Sequence, residues 1–400
     1  VVAVISLSTY DECREALRHR ALRQALYDEA APLMEGVIVN LHGDAHRVRR
    51  RFENRLFRPD TFAWYETEII PTIIDEVLQD PRRAGQAELL SVARRTMMTL
   101  AVRIAGIDVE ADRLDEFASL MERLAKGSTV SHATGDRQAV LQSGIDALHE
   151  VAEQFIDPSV SRRQLVVDEV RDGRMEASAL PRDVVTTLLW ASEDLNLSEQ
   201  DFLREIAYFP WVGSHSTSNQ LVHAMHHLLT WIAEHPSDRD PLTQNPMLRQ
   251  RFVHESLRLH PASPVALRQA TEAVTLRSGQ EIVSGATVSL NLEAANRDGT
   301  IFGENAGQFD PHRTLPDEVA PWGLSFGHGI HACLGQELAA GVPAHQMGGL
   351  EHHLLGAVVV MSGVLLAAGA CPDPHDPAVI DASTTRTVFS RYPVLLDQIP

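Results

Sequence analysis

The sequence predicts a mainly α protein with a minor β part. Three observations carry that prediction. Apolar residues recur at helical spacing through most of the first 260 residues. Short β-like runs and Gly/Pro-rich turns take over from about 262 to 325. No repeat, low-complexity tract or long linker divides the chain, so residues 1–400 read as a single domain. A composition that is 44% apolar is ample for one large core.

The elements follow in order. VVAVIS at the start reads as a strand, and Thr9 with Glu12 reads as a capping box opening the helix TYDECREALRH. Helices are expected at 44–57, 64–79, 86–105, 111–125, 136–156, 182–193 and 198–234. Another covers 246–260, with Asn245 as N-cap, Pro246 in the first turn and Pro261 stopping it. Pro210 removes one backbone bond from the 198–234 helix and predicts a kink there. The runs AVTLRSG and EIVSGATVSLNL supply the β part. Leu354–Ala370 is strongly apolar, yet falls short of the roughly 18–20 residues a membrane-spanning helix needs. It reads as buried core rather than a tail anchor, and the chain as soluble.

Charge and cysteine usage narrow the function. A formal net charge of −19 argues against nucleic acid and anionic membrane surfaces as partners. Cys13, Cys333 and Cys371 are odd in number and far apart, so no disulfide framework is implied. With no basic segment before an apolar core to serve as a signal peptide, the expected location is cytoplasmic.

Cys333 stands in LSFGHGIHACLGQEL, 324–338. Glycines supply positive-φ turns and let backbone approach a flat ligand. A cysteine at the mouth of a helix has its thiolate favoured by the helix dipole and by directed N–H groups. Together they describe a loop holding a sulfur rigidly beneath something planar, such as a haem whose iron takes a thiolate axial ligand. The pattern Phe326-Gly327-x-Gly329-x-His331-x-Cys333-x-Gly335, followed by Leu338-Ala339, resembles the haem-binding signature of the cytochrome P-450 superfamily. The other reading of the loop is a reactive or structural cysteine in a tight turn.

The resemblance implies a cytochrome P450 fold, haem b (iron protoporphyrin IX) as cofactor and Cys333 as its metal ligand. In HESLRLH, Glu255 and Arg258 lie i, i+3 on one helix face, an ordinary surface pair by spacing alone. In the resembled family this pair is buried and bonded to an arginine of a later meander, here Arg313, and fixes the cysteine loop. A zinc site fails, because the two histidines stand six apart rather than in H-E-x-x-H. In HGDAHRVRRRF the resemblance assigns His46 and Arg50 to the haem propionates, with Arg268 and His331. The remaining Arg47, Arg49, Arg51 and Arg55 read either as a solvated face or as a docking patch for an acidic electron donor.

The match breaks at the oxygen-activation segment. The family pattern is A-G-x-[acid]-T, and this chain has FPWVGSHSTSN, 209–219. Val212 replaces the alanine, Gly213 matches, His215 stands where the acid is expected and Ser216 where threonine is expected. Thr217 supplies a hydroxyl if the register shifts by one. A histidine can still move protons near neutral pH, so His215, Ser216 and Thr217 are the candidate proton-delivery residues. Val212, Val265 and Ala266 are candidate pocket lining, and loops around 27–41 and 105–140 are expected to shape the pocket. The start of the chain resembles a segment usually preceded by several dozen residues, so either the protein is short there or this sequence omits residues before it. The last 60 residues match only loosely.

The implied activity is that of a soluble bacterial haem-thiolate monooxygenase. It would take two electrons from a ferredoxin/ferredoxin reductase or flavodoxin system and use O₂ to hydroxylate a small organic substrate. Specialised natural-product tailoring, such as polyketide or other antibiotic biosynthesis, is the favoured setting, with the substrate free or carrier-protein-bound. The altered SHS segment keeps a rival open: desaturation, ring closure, aromatic coupling or peroxide use. A non-catalytic haem-binding sensor or substrate-capture protein is the alternative of another class.

Overall fold

The computed structural model describes residues 4–343, 346 and 353–398. Helices dominate, and the described strands form four small sheets. The expected first strand is present as Val4–Leu7 and pairs in parallel with Thr287–Asn291, from Val4 opposite Thr287 to Leu7 opposite Leu290. Val265–Ala270 and Leu22–Gln24 complete an antiparallel extension of that sheet. A second sheet joins distant segments, with Pro393–Leu395 between Gln86–Glu88 and Cys371–Pro372.

The helix Glu199–Glu234 is the spine of the molecule. Ser198 caps its start by accepting from the Asp201 N–H. It runs without a break through Pro210 and packs along the helix Leu89–Ala105. The expected 246–260 helix is Pro246–Leu259, with Asn245 accepting from the Leu248 N–H as its sequence position predicts.

Several expected elements are corrected. Thr9 does not cap a backbone N–H; its hydroxyl donates to the Glu12 carboxylate at 2.8 Å. The expected helix 86–105 begins at Leu89, because Gln86–Glu88 pairs as a strand and Glu88 then caps the helix through the Leu90 and Ser91 amides. Beyond Val151 the helix continues through a π-turn, Ala152–Ile156, into Asp157–Arg171. Pro158 does not stop it, because it stands in the first turn of that last piece, where its missing N–H costs least.

The apolar run near 354–370 forms the helix Ala357–Ala367, with Val358, Val359, Met361 and Leu365 fully buried. It packs on the spine helix and on Ile70–Ala84. Among the described residues no helix is long and apolar enough to cross a membrane.

Candidate active site

A cavity of about 590 Å³ is lined by the middle of the spine helix on one side and by the cysteine loop on another. Cys333 opens onto it. The loop is closed by the Cys333 N–H, which donates to the Phe326 carbonyl at 2.9 Å. Gly327 and Gly329 both hold positive φ, 69° and 72°. At Gly329 a Cβ would lie 3.0 Å from the Arg18 Cα and 3.1 Å from the Leu17 carbonyl, so glycine lets the loop lie directly on the Tyr10–Arg18 helix.

Burial pushes the Cys333 thiol up, opposed by the Gly335 amide and by Arg50. The helix that follows, Gln336–Ala340, is only five residues long, so the expected help from its dipole is small. A bond to a metal would supply the thiolate instead.

The loop is anchored from behind. Arg258, fully buried, forms a two-pronged pair with Glu255 at 2.7 Å for both bonds and donates to the Ala306 carbonyl at 2.7 Å. Arg313 donates to the same Glu255 oxygen at 3.3 Å, and the Asp310 N–H reaches it at 3.0 Å. One more residue carries this network forward. Asn296 donates to the Arg258 carbonyl and to Ser325 Oγ, both at 2.9 Å, and accepts from the Leu324 N–H at 2.7 Å. Ser325 and Leu324 begin the cysteine loop, so the buried ion pair and the sulfur share one rigid frame.

At the cavity edge His46, Arg50, Arg268 and His331 converge. The His46 and His331 rings lie 4.4 Å apart. Arg50 donates to the Ala332 carbonyl at 2.8 Å. Arg268, 2% exposed, donates to Gln24 Oε1 at 2.6 Å. Burial, then neighbouring cations, push His331 down to about 3 and His46 to about 4, and burial brings Arg268 to about 10. Among the described residues no carboxylate pairs with this cluster, and the buried His331 Nε2 and Arg268 Nε have no hydrogen-bond partner. Such a set lacks negative charge. Two propionates of a haem above Cys333 would satisfy it, so the residues present fit that cofactor.

Across the cavity lie Val212, Gly213, His215, Ser216 and Thr217. Ser216 Oγ is turned back to the Val212 carbonyl at 2.7 Å. His215 Nδ1 lies 3.1 Å from the Trp211 carbonyl, which leaves Nε2 as the acceptor nitrogen. Burial, with Arg94 next, pushes His215 down to about 4 and keeps it neutral at pH 7. Thr217 carries a hydroxyl with no backbone bond among the described residues. Ala266 lines the cavity, whereas Val265 is not among its lining residues: successive strand residues face opposite sides.

Tyr27, Ile38 and Val39 line it from the 27–41 segment, and Glu122, Ala125, Lys126, Thr129, His132 and Ala133 from 105–140. The sequence reading missed Arg94, Glu122, Lys126, His132, Asp381 and Arg386 individually. Lys126 is the single lysine of the chain, the one compositional signal available. In the basic segment Arg49 is buried and ion-paired with Glu205, so it leaves the proposed docking patch.

The family model described as Cytochrome P450 matches residues 2–341, and the chain belongs to that family. It is therefore a haem-dependent oxidoreductase of the monooxygenase type, with haem b as cofactor. Among its relatives is the cyclooctat-9-en-7-ol 5-monooxygenase of Streptomyces melanosporofaciens, 27% identical over 342 residues, covering 78% of this chain and 71% of the relative. The biotin biosynthesis cytochrome P450 of Bacillus subtilis is 27% identical over 297 residues, covering 74% of this chain and 67% of the relative. Solved structures share the fold: P450BioI bound to a hexadec-9Z-enoic acid ligated acyl carrier protein superposes with a TM-score of 0.74 at 21% identity, covering 98% of this chain and 92% of that one. A mutant of P450 EryK with erythromycin B gives 0.72 at 21% identity, covering 99% and 91%.

Proposed function

We propose that this enzyme hydroxylates a small organic substrate of secondary metabolism in the cytoplasm, drawing electrons from a ferredoxin/ferredoxin reductase or flavodoxin donor. The observation that carries this reading is Cys333 on the wall of a cavity whose far side presents Thr217 and His215. Haem b bound there supplies dioxygen activation, with the thiolate donating electron density that favours O–O cleavage.

The chain's own residues do the rest. His46, Arg50, Arg268 and His331 hold the propionates, and Phe326 and Gly335 shape the loop around the sulfur. Glu255, Arg258 and Arg313 keep that loop from moving. Thr217 Oγ1 offers a proton at the cavity face, while Ser216, bonded to Val212, is the weaker donor. Neutral His215 accepts a proton at Nε2.

The names of similar proteins support a specialised-metabolism role, with the substrate free or carrier-bound: one is a cyclooctat-9-en-7-ol 5-monooxygenase, one was solved with a fatty-acid-ligated acyl carrier protein and one with erythromycin B. A second reading follows from the His215/Ser216 replacement, in which the same site carries out desaturation, ring closure, aromatic coupling or peroxide-driven oxidation. Product analysis under isotopically labelled O₂ separates the two. Label in the product supports hydroxylation; turnover without label favours the second reading. Loss of substrate coupled to NAD(P)H consumption rules out a sensor or capture protein.

A further inference from the structure

Every charged group lining the cavity but one is either held by a firm bond within the chain or belongs to the propionate cluster. Arg50 and Arg268 belong to the propionate cluster. Arg94 and Lys126 both bond to Glu122, at 3.4 Å and 2.9 Å. Asp381 accepts from the Ser383 N–H at 2.8 Å and from its hydroxyl at 2.6 Å. Arg386 also lines the cavity, and no carboxylate among the described residues is within ion-pair distance of it. Its described side-chain bond is a long one, from Nε to Thr384 Oγ1 at 3.5 Å.

A guanidinium keeps its charge at any working pH, and Arg386 presents that charge to the cavity from a half-buried position. Burial lowers the Arg386 pKa, with Tyr27 and Asp381 opposing. Tyr27, Asp381, neutral His132 and, on the spine helix, His215 line the same cavity. His132 is 7% exposed, and its Nδ1 lies 3.5 Å from Thr385 Oγ1.

We propose that Arg386 is the substrate receptor of this cavity and that the substrate class is a carboxylic acid, held by a two-pronged guanidinium–carboxylate pair. The inference rests on the monooxygenase reading and adds the class of molecule it acts on. A planar fork matches a carboxylate in geometry as well as charge. Arg386, His215 and Thr217 line the same cavity, so an acid held by Arg386 shares that space with the proton-delivery residues.

The test uses the haem-loaded full chain. Dodecanoate, 3-phenylpropanoate and cholate are each titrated against their methyl esters, by difference spectrum and by calorimetry. At least one acid binds with a dissociation constant tenfold or more below that of its ester. Arg386→Gln removes that preference while the haem-to-protein ratio stays at the parent value, and Arg386→Lys restores part of it. Equal or tighter binding of every ester overturns the inference. So does loss of haem in Arg386→Gln comparable to that in Arg268→Gln, which would make Arg386 a propionate ligand. A parent protein lacking a thiolate-type carbonyl band overturns the enzyme reading and this inference together; a normal band with no acid preference overturns this inference alone.

Discussion

Arg50 Nη2 donates to the Ala332 carbonyl at 2.8 Å, one residue before Cys333. The helix Gly43–Glu53 is thereby tied to the loop that holds the sulfur, by the same side chain that faces the propionate site. One arginine thus reaches both the ligand loop and the cavity edge proposed for the propionates.

Replacing Arg50 with alanine should therefore weaken haem retention. A charge-assisted hydrogen bond contributes about 1.5–3 kcal/mol net, so haem transfer to an excess of apo-globin should run roughly tenfold faster or more. The measurement is the decay of the bound Soret absorbance. A transfer rate equal to the parent's would contradict the assignment.

Glu255→Ala leaves the fully buried Arg258 guanidinium with carbonyl partners alone. Removing one member of a buried pair costs about 3–5 kcal/mol. The urea midpoint should fall accordingly, and the haem signal should disappear before the helical circular dichroism does, because Asn296 passes the disturbance to Ser325. Coincident loss of both signals would argue that the network serves the fold generally.

Much of this arrangement could be read from the sequence. Asn245 and Pro246 set a helix start by local chemistry, and the glycines beside Cys333 mark positive-φ turns that other residues resist. Long-range pairing left less trace. Gln86–Glu88 becomes a strand because Pro393–Leu395 lies beside it, and nothing within three residues announces that. Arg49 looked like one of a row of surface arginines, yet Glu205, 156 positions away, draws it inside. Arg386 and Asp381 lie in the last 60 residues, where no periodic pattern or motif pointed to the cavity.

The spine helix distinguishes two hydroxyls. Ser216 Oγ is committed to Val212, whereas the Thr217 hydroxyl has no backbone bond among the described residues. Thr217→Val should lower the ratio of product formed to NAD(P)H consumed several-fold, and Ser216→Ala should change it less. Both variants should keep parent haem content. The reverse order of effects would return proton delivery to Ser216.

Stability should fall on the acid side. His227 and His260 share a hydrogen bond of 2.9 Å between their Nε2 atoms, and His223 stacks on His260 with ring centroids 4.1 Å apart. Burial pushes His223 down to about 4 and His227 to about 3, below the ordinary 6.5. The unfolded chain thus takes up protons first as pH drops. The stabilisation is complete above about pH 6.5 and is lost progressively as pH falls towards 4. Urea midpoints should be level from pH 7 to 8 and decline below 6.5, with a shallower decline in His227→Gln. A midpoint unchanged down to pH 5 would contradict the buried neutral cluster.

The central claim is a bond between the sulfur of residue 333 and haem iron, and the absorption spectrum of the reduced protein under carbon monoxide tests it most directly. The reduced protein should show the strongly red-shifted Soret band of a thiolate-ligated ferrous carbonyl adduct, absent in Cys333→Ala. A band at the position seen for imidazole-ligated globins, or a red-shifted band that survives Cys333→Ala, would contradict it.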